Sequence, residues 1–244
     1  MKNLLLIIDP QNDFVDPKGS LYVPGSEEAI NNICKFIDTD RVDEIIVSQD
    51  THQKYNIGFS EFWPGFKAFD KLMVRDIVSQ KIKPTYINPK NYEDFFKQFE
   101  DFGYNDELTI WPHHCIEGSW GWCFPDILVE SLGNWGLRNK KSYQVYRKGN
   151  IPELEAYSIF PKINKMGNTK IESLNIQEYE YGSIFISGFC KDICVAESVK
   201  WFSDNNFRNL VFLDNCMATL DKNSPNLKIY SYVEKELMAK TENV

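Results

Sequence analysis

Three residues far apart in the chain, Asp9, Lys148 and Cys194, are of the types that together turn a thiol into a nucleophile. A lysine ammonium beside a cysteine favours the thiolate, and a nearby carboxylate can shuttle the proton between thiol and leaving group. Cys194 follows Gly188-Phe189-Cys190-Lys191-Asp192-Ile193, which reads as a strand-to-helix turn. Backbone N–H groups at a helix start lower a thiol pKa and can face an oxyanion. The three histidines, His52, His113 and His114, all lie in the first half of the chain, so a Cys–His or Ser–His dyad would have to recruit one of them. An isolated cysteine is otherwise a small core residue. The chemistry therefore requires a fold that gathers these positions.

Such a fold is suggested by six short apolar runs, at 4–8, 44–47, 107–110, 143–146, 183–187 and 210–213. Runs of this length rich in Ile, Val and Leu fit strands buried on both faces. Helical patterns lie between them at 26–36, 192–205 and 230–238, the first opening with Glu27 and Glu28 where the helix dipole favours acids. The alternation predicts a single α/β domain over 1–244. Its core would be a doubly wound sheet of about six mainly parallel strands with helices on both faces. The stretch 60–106 reads as an insertion or lid, with helices expected at 66–71 and 92–102. Ligands of such sheets sit outside the carboxyl ends of the strands. Asp9, Asp50, His113/His114, Lys148, Cys194 and Asp214 are all expected near that rim.

The 244 residues, 43% hydrophobic and 14% aromatic, are enough for a sizeable core, and a net charge of -8 argues against nucleic acid or an anionic membrane as partner. No apolar run approaches the ~20 residues of a membrane span. The first residues lack a signal-peptide layout, so a cytoplasmic location is expected. Six cysteines are too sparse for a disulfide scaffold, and Cys190 and Cys194 lack CxxC spacing. The turn Asp9-Pro10-Gln11-Asn12-Asp13 has no GxGxxG and carries acids that would repel a pyrophosphate.

Taken in order, five blocks resemble the isochorismatase-like cysteine hydrolases, most closely the nicotinamidase branch. Ile8-Asp9-Pro10-Gln11-Asn12-Asp13-Phe14 is similar to the first-strand motif, and Ser48-Gln49-Asp50-Thr51-His52 to the second-strand metal motif. Trp111-Pro112-His113-His114-Cys115 resembles the Trp-Pro-x-His-Cys signature. Arg147-Lys148-Gly149 with Glu155-Ala156-Tyr157-Ser158 looks like the lysine loop, and Gly188 to Val195 like the nucleophile elbow.

The resemblance implies Cys194 as nucleophile, Asp9 as general acid/base and Lys148 as the cation holding the pair. It implies an oxyanion hole from the backbone N–H groups of Cys190 and Cys194, with a cis peptide before Cys190. Phe14, Trp111 and Tyr157 would hold a flat aromatic amide, nicotinamide being the first choice, whose hydrolysis passes through an acyl-thioester. Asp50, His52 and His114 match metal ligands for divalent Zn or Fe, whereas Gly58 stands at the remaining histidine position. His113 or a residue of the insertion is a possible replacement. The expected partner is a small amide. Family members often form homo-oligomers, and the aromatics of 59–122 suit either a subunit surface or a lid. Other readings on the same scaffold are a ureido or carbamoyl amidase, an ether-cleaving enzyme, against which Cys194 speaks, and a silent binding protein.

Overall fold

A computed structural model of the protein describes residues 1–100 and 106–244. In chain order the elements are β1 (Lys2–Ile8), α1 (Asn12–Val15), α2 (Ser26–Ile37), β2 (Glu44–Asp50), β3 (Lys71–Met73), α3 (Val74–Val78), α4 (Tyr92–Lys97), β4 (Glu107–Thr109) and α5 (Asp126–Asn139). Then follow β5 (Gln144–Lys148), β6 (Lys165–Met166), β7 (Thr169–Lys170), β8 (Tyr181–Gly188), α6 (Ala196–Asp204), β9 (Leu210–Met217), α7 (Lys228–Leu237) and β10 (Lys240–Glu242). Six strands form the central sheet in the order β10-β9-β8-β1-β2-β5, every neighbouring pair parallel.

Why the sheet is covered on both sides is visible in β1, where Leu4 to Ile8 are all fully buried. Successive side chains point to opposite faces. Leu5 and Ile7 pack with Ile33 and Phe36 of α2 and with Leu132 and Trp135 of α5. Leu4, Leu6 and Ile8 pack with Val199 and Phe202 of α6 and Val233 of α7. The predicted doubly wound α/β architecture is thus the observed one.

Four details differ from expectation. The run at 107–110 leaves the central sheet: β4 pairs antiparallel with β3 in a separate ribbon. The sixth central strand is instead β10, a three-residue edge of Lys, Thr and Glu that gives no apolar signal. No helix forms at 66–71, where the Asp70 carboxylate accepts from the Lys67 N–H and Phe69 has a left-handed φ of 72°. The helix expected over 192–205 is divided, Lys191–Val195 forming one π-helical turn before α6. Of the helix expected at 92–102, α4 is present, and residues 101 and 102 lie outside the described residues.

The insertion carries its own small core, in which Trp63, Leu72, Ile77, Phe95 and Leu108 are buried together. Phe59, Phe62 and Trp63 are completely buried within the chain, so they do not form a subunit surface, whereas Trp120 is half exposed. No helix among the described residues is long and apolar enough to cross a membrane.

The strand ends meet closely beside the candidate site. Gly188 has φ +121°, and a Cβ there would run into the Ile8 backbone. Gly188→Ala is therefore expected to destabilise the fold by at least ~1–3 kcal/mol, read as a lower urea midpoint at unchanged m value. A midpoint equal to that of the parent protein would refute the close-approach argument.

Candidate active site

Lys148 is the last residue of β5 and Asp50 the last of β2, which pair with each other in register. Asp9 follows β1 directly, with φ 48°. Parallel strands thus deliver three ionisable groups to one rim, as the sequence predicts. The Lys148 Nζ lies 3.0 Å from Asp9 Oδ2 and 3.2 Å from Asp50 Oδ1. It also donates to the Ala156 carbonyl at 2.7 Å and toward Cys194 Sγ at 3.6 Å. Asp9 is oriented by Ser48, whose hydroxyl donates to Oδ1 at 2.7 Å and accepts from the Asp9 N–H at 3.0 Å. Its other oxygen, Oδ2, is buried without a well-aligned hydrogen bond and faces the lysine.

Burial sets the electrostatics. It pulls the Lys148 ammonium down, but Asp50 and Asp9 outweigh it and hold the pKa well above the ordinary lysine value. Asp50 is also desolvated, yet His52 and Lys148 hold it well below the usual carboxylate range. Burial raises the Asp9 pKa, Lys148 opposing and Asp50 reinforcing that shift. The Cys194 thiol is pushed well up by burial, against the pull of Lys148. The arrangement can therefore hold a resting thiol beside a carboxylate of raised proton affinity, with a fixed cation ready to stabilise the thiolate.

The turn bearing Cys194 is fastened from several sides. Asp192 accepts from the Leu220 and Asp221 N–H groups at 2.9 and 3.0 Å, and the Lys191 N–H donates to the Ala218 carbonyl at 2.8 Å. Ser198 donates to the Cys194 carbonyl at 2.7 Å. The Phe189–Cys190 peptide is cis, as the resemblance implies.

Asp50, His52 and His114 converge beside this group, their ligand atoms all within 4.8 Å of one another. The Asp50 carboxylate serves both clusters, since its Oδ2 lies 2.8 Å from His52 Nε2 and 3.4 Å from His114 Nε2. Each imidazole turns its Nδ1 to a carbonyl, Gly149 at 3.3 Å for His52 and Pro112 at 2.8 Å for His114. With Nδ1 turned to a carbonyl, each imidazole presents Nε2 to the Asp50 carboxylate. A divalent metal there would take the Nε2 atoms and a carboxylate oxygen as its ligands, a donor set that fits zinc or iron. Gly58 offers no ligand there, and its nearest neighbours are Asn56 and Trp111. His113 does not replace it: it pairs with Glu61 at 2.9 Å on the surface. Among the described residues no side chain of the insertion joins the cluster.

His114 arrives by a different route from the others, because β4 is not a central strand. The His52 N–H donates to the Cys115 carbonyl at 3.0 Å and the Glu117 N–H to the His52 carbonyl at 2.9 Å, laying this segment along the continuation of β2. A cavity of about 40 Å³ joins the two clusters, with Phe14, Trp111, Tyr157 and Cys190 on its wall. Trp111 Nε1 donates to the Tyr157 hydroxyl at 2.9 Å, and the two rings stand 86° apart. Asp214, expected at the rim, lies inside β9 and pairs with Lys191 away from the cavity.

Residues 3–231 match the isochorismatase domain. The chain belongs to the isochorismatase family. Within it, the protein is 25% identical to the nicotinamidase of Saccharomyces cerevisiae over 242 residues, 98% of this chain and 97% of that one. Its fold is similar to the yeast nicotinamidase Pnc1p bound to the inhibitor nicotinaldehyde, with a TM-score of 0.66 and 21% identity over 99% of this chain and 100% of that one. It is also similar to a pyrazinamidase of Pyrococcus horikoshii in complex with zinc, with a TM-score of 0.60 and 16% identity over the whole of both chains.

For this isochorismatase-family site, sequence reasoning left two supporting residues without a role. Ser48 orients Asp9, and Gln11 pins Asp50 by accepting from its N–H and donating to its carbonyl, both at 2.7 Å. Both are completely buried, and the signal in the sequence is a polar residue set within or just beyond an apolar run, Ser48 in β2 and Gln11 after β1.

Proposed function

We propose that the protein hydrolyses nicotinamide to nicotinate and ammonia through an acyl-thioester on Cys194. The observation that carries this reading is the single ammonium of Lys148, which touches Asp9, Asp50 and Cys194 at the base of an aromatic-walled cavity. The family assignment and the nicotinamidase relatives support the choice of amide. Among the described residues Lys148 is the one basic side chain apart from histidine on that wall, which favours a flat aromatic amide over a ureido substrate.

In the proposed sequence Phe14, Trp111 and Tyr157 hold the ring of the substrate. The Cys194 proton passes to Asp9 while Lys148 stabilises the thiolate, and sulfur bonds to the amide carbon. The resulting oxyanion is received by the backbone N–H groups of Cys190 and Cys194. Collapse breaks the C–N bond as Asp9 returns its proton to the departing nitrogen, releasing ammonia. Asp9 then takes a proton from water, hydroxide attacks the thioester, and nicotinate leaves as Cys194 recovers its proton. Asp50, His52 and His114 would hold divalent zinc or iron, which supplies a Lewis-acid binding point for a substrate lone pair when bound. The proposed organisation is one cytosolic domain over 1–244, with 60–106 as an insertion or lid.

Purified protein is expected to release ammonia from nicotinamide, to lose that activity on chelation and to recover it with Zn²⁺ or Fe²⁺. Metal at ~100 times its Kd should also raise unfolding stability by about 2.7 kcal/mol over the chelated protein. Absence of ammonia from the metal-loaded protein, with Cys194 still alkylated by iodoacetamide, would sink nicotinamide as the substrate.

A further inference from the structure

Besides the packing of Tyr157 on its core, the insertion is tied to the active site by a buried polar side chain that the mechanism does not use. Gln98, just beyond α4, is 2% exposed and uses its whole amide. Its Nε2 donates to the Phe95 carbonyl at 2.9 Å, within the insertion, and to the Glu153 carbonyl at 2.8 Å, across the gap. Its Oε1 accepts from the Glu155 N–H at 2.9 Å. The Ala156–Tyr157 peptide group is the one that reaches the chemistry: its carbonyl accepts from Lys148 at 2.7 Å, and its N–H donates to the buried Glu155 carboxylate. Segment 153–157 is thereby clamped between an amide of the insertion on one side and the catalytic lysine on the other.

We propose that Gln98 is a positioning residue, through which the insertion sets the place of the Ala156 carbonyl and of Tyr157 at the reacting centre. The inference rests on the amidase reading for its kinetic test. Two-point attachment matters here because a primary amide is the side chain that can donate to one carbonyl and accept from an N–H two residues further on. Other polar ties of the insertion to this region among the described residues, from the Asn88 N–H to Glu153 and from the Gly167 N–H and Lys165 to Asp94, do not reach the Ala156–Tyr157 peptide group beside Lys148.

The test compares Gln98→Met, which keeps length and loses every bond, with Ile77→Ala, which loosens the insertion's core and leaves the clamp intact. Gln98→Met should lower kcat/KM for nicotinamide by about 10–100-fold, with kcat falling and KM rising, as a displaced catalytic loop does. Ile77→Ala, assayed well below its melting temperature, should stay within about twofold of the parent. Folded Gln98→Met with parental kcat and KM would overturn the proposal, as would an equal loss in both variants. If Gln98→Met does not fold, Gln98→Glu takes its place: it keeps the shape and the bond from Glu155 but sets a carboxylate against two carbonyls. The same loss is then expected, and unaltered kinetics overturn the inference. Should the parent protein not turn over nicotinamide, the proposed function falls while the clamp is still read from Cys194. Alkylation by iodoacetamide should then be about fivefold slower in the Gln98 variant and unchanged in Ile77→Ala. Equal alkylation rates in both would reject it.

Discussion

Cys194→Ala is expected to release no measurable ammonia from nicotinamide, a loss of roughly 10⁴-fold or more in kcat, while folding as the parent does. Removing a covalent nucleophile typically costs ~10⁶-fold, because the intermediates it forms have no other route. The fold should survive, since alanine fits where the small thiol sat and the fastenings of the turn come from Asp192, Lys191 and Ser198. Steady-state ammonia release and a thermal melt decide the matter. Turnover at the parental rate in the alanine variant would remove Cys194 from the mechanism.

Lys148→Met should do more damage, because it costs both activity and stability. The ammonium is the shared partner of two buried carboxylates, Asp9 and Asp50. Methionine fills the volume but leaves those charges facing each other without their common cation. Removing one partner of a buried ion pair costs ~3–5 kcal/mol. The pH dependence of that cost has a definite sign. Lys148 has its folded pKa raised well above the ordinary lysine value, so the stabilisation it provides is in place below the unfolded-state pKa. It is lost as pH rises through the folded value. The variant should therefore be destabilised throughout the neutral range, and nicotinamide turnover should fall with it by several orders of magnitude. Urea unfolding at pH 7 supplies the measurement. A change below about 1 kcal/mol would show that the two carboxylates do not depend on this lysine.

The sheet was legible because β1, β2, β8 and β9 carry apolar runs of a length that a parallel strand needs, and because Asp9, Asp50 and Lys148 stand at the ends of β1, β2 and β5. Membership of the sheet was less so. The β4 segment looks apolar because it covers the insertion's core, while β10 is a polar edge held by backbone bonds to β9. Neither fact alters composition in a way a reader of residues can detect. The site's charged members were found by type, whereas Gln98 was invisible: an ordinary glutamine near a helix end becomes informative only once Glu153 and Glu155 are seen beside it. The resemblance puts Gly58 at the remaining histidine position, and the fate of His113 required the observed pair with Glu61.

The uniform burial of Leu4 to Ile8 leaves the alignment of β1 undetermined by hydrophobicity. A one-residue slip would exchange Leu5 and Ile7 for Leu4 and Leu6 on one face, and each set is as oily as the other. In sheets with one wet face such a slip is forbidden by solvent. Here the discrimination falls to the strand's last residues, where Ile8 meets Gly188 with no space for a side chain and Asp9 reaches the Ser48 hydroxyl. The reactive rim thus doubles as the alignment key of the sheet: a misaligned strand cannot assemble the site, and an assembled site admits only one alignment.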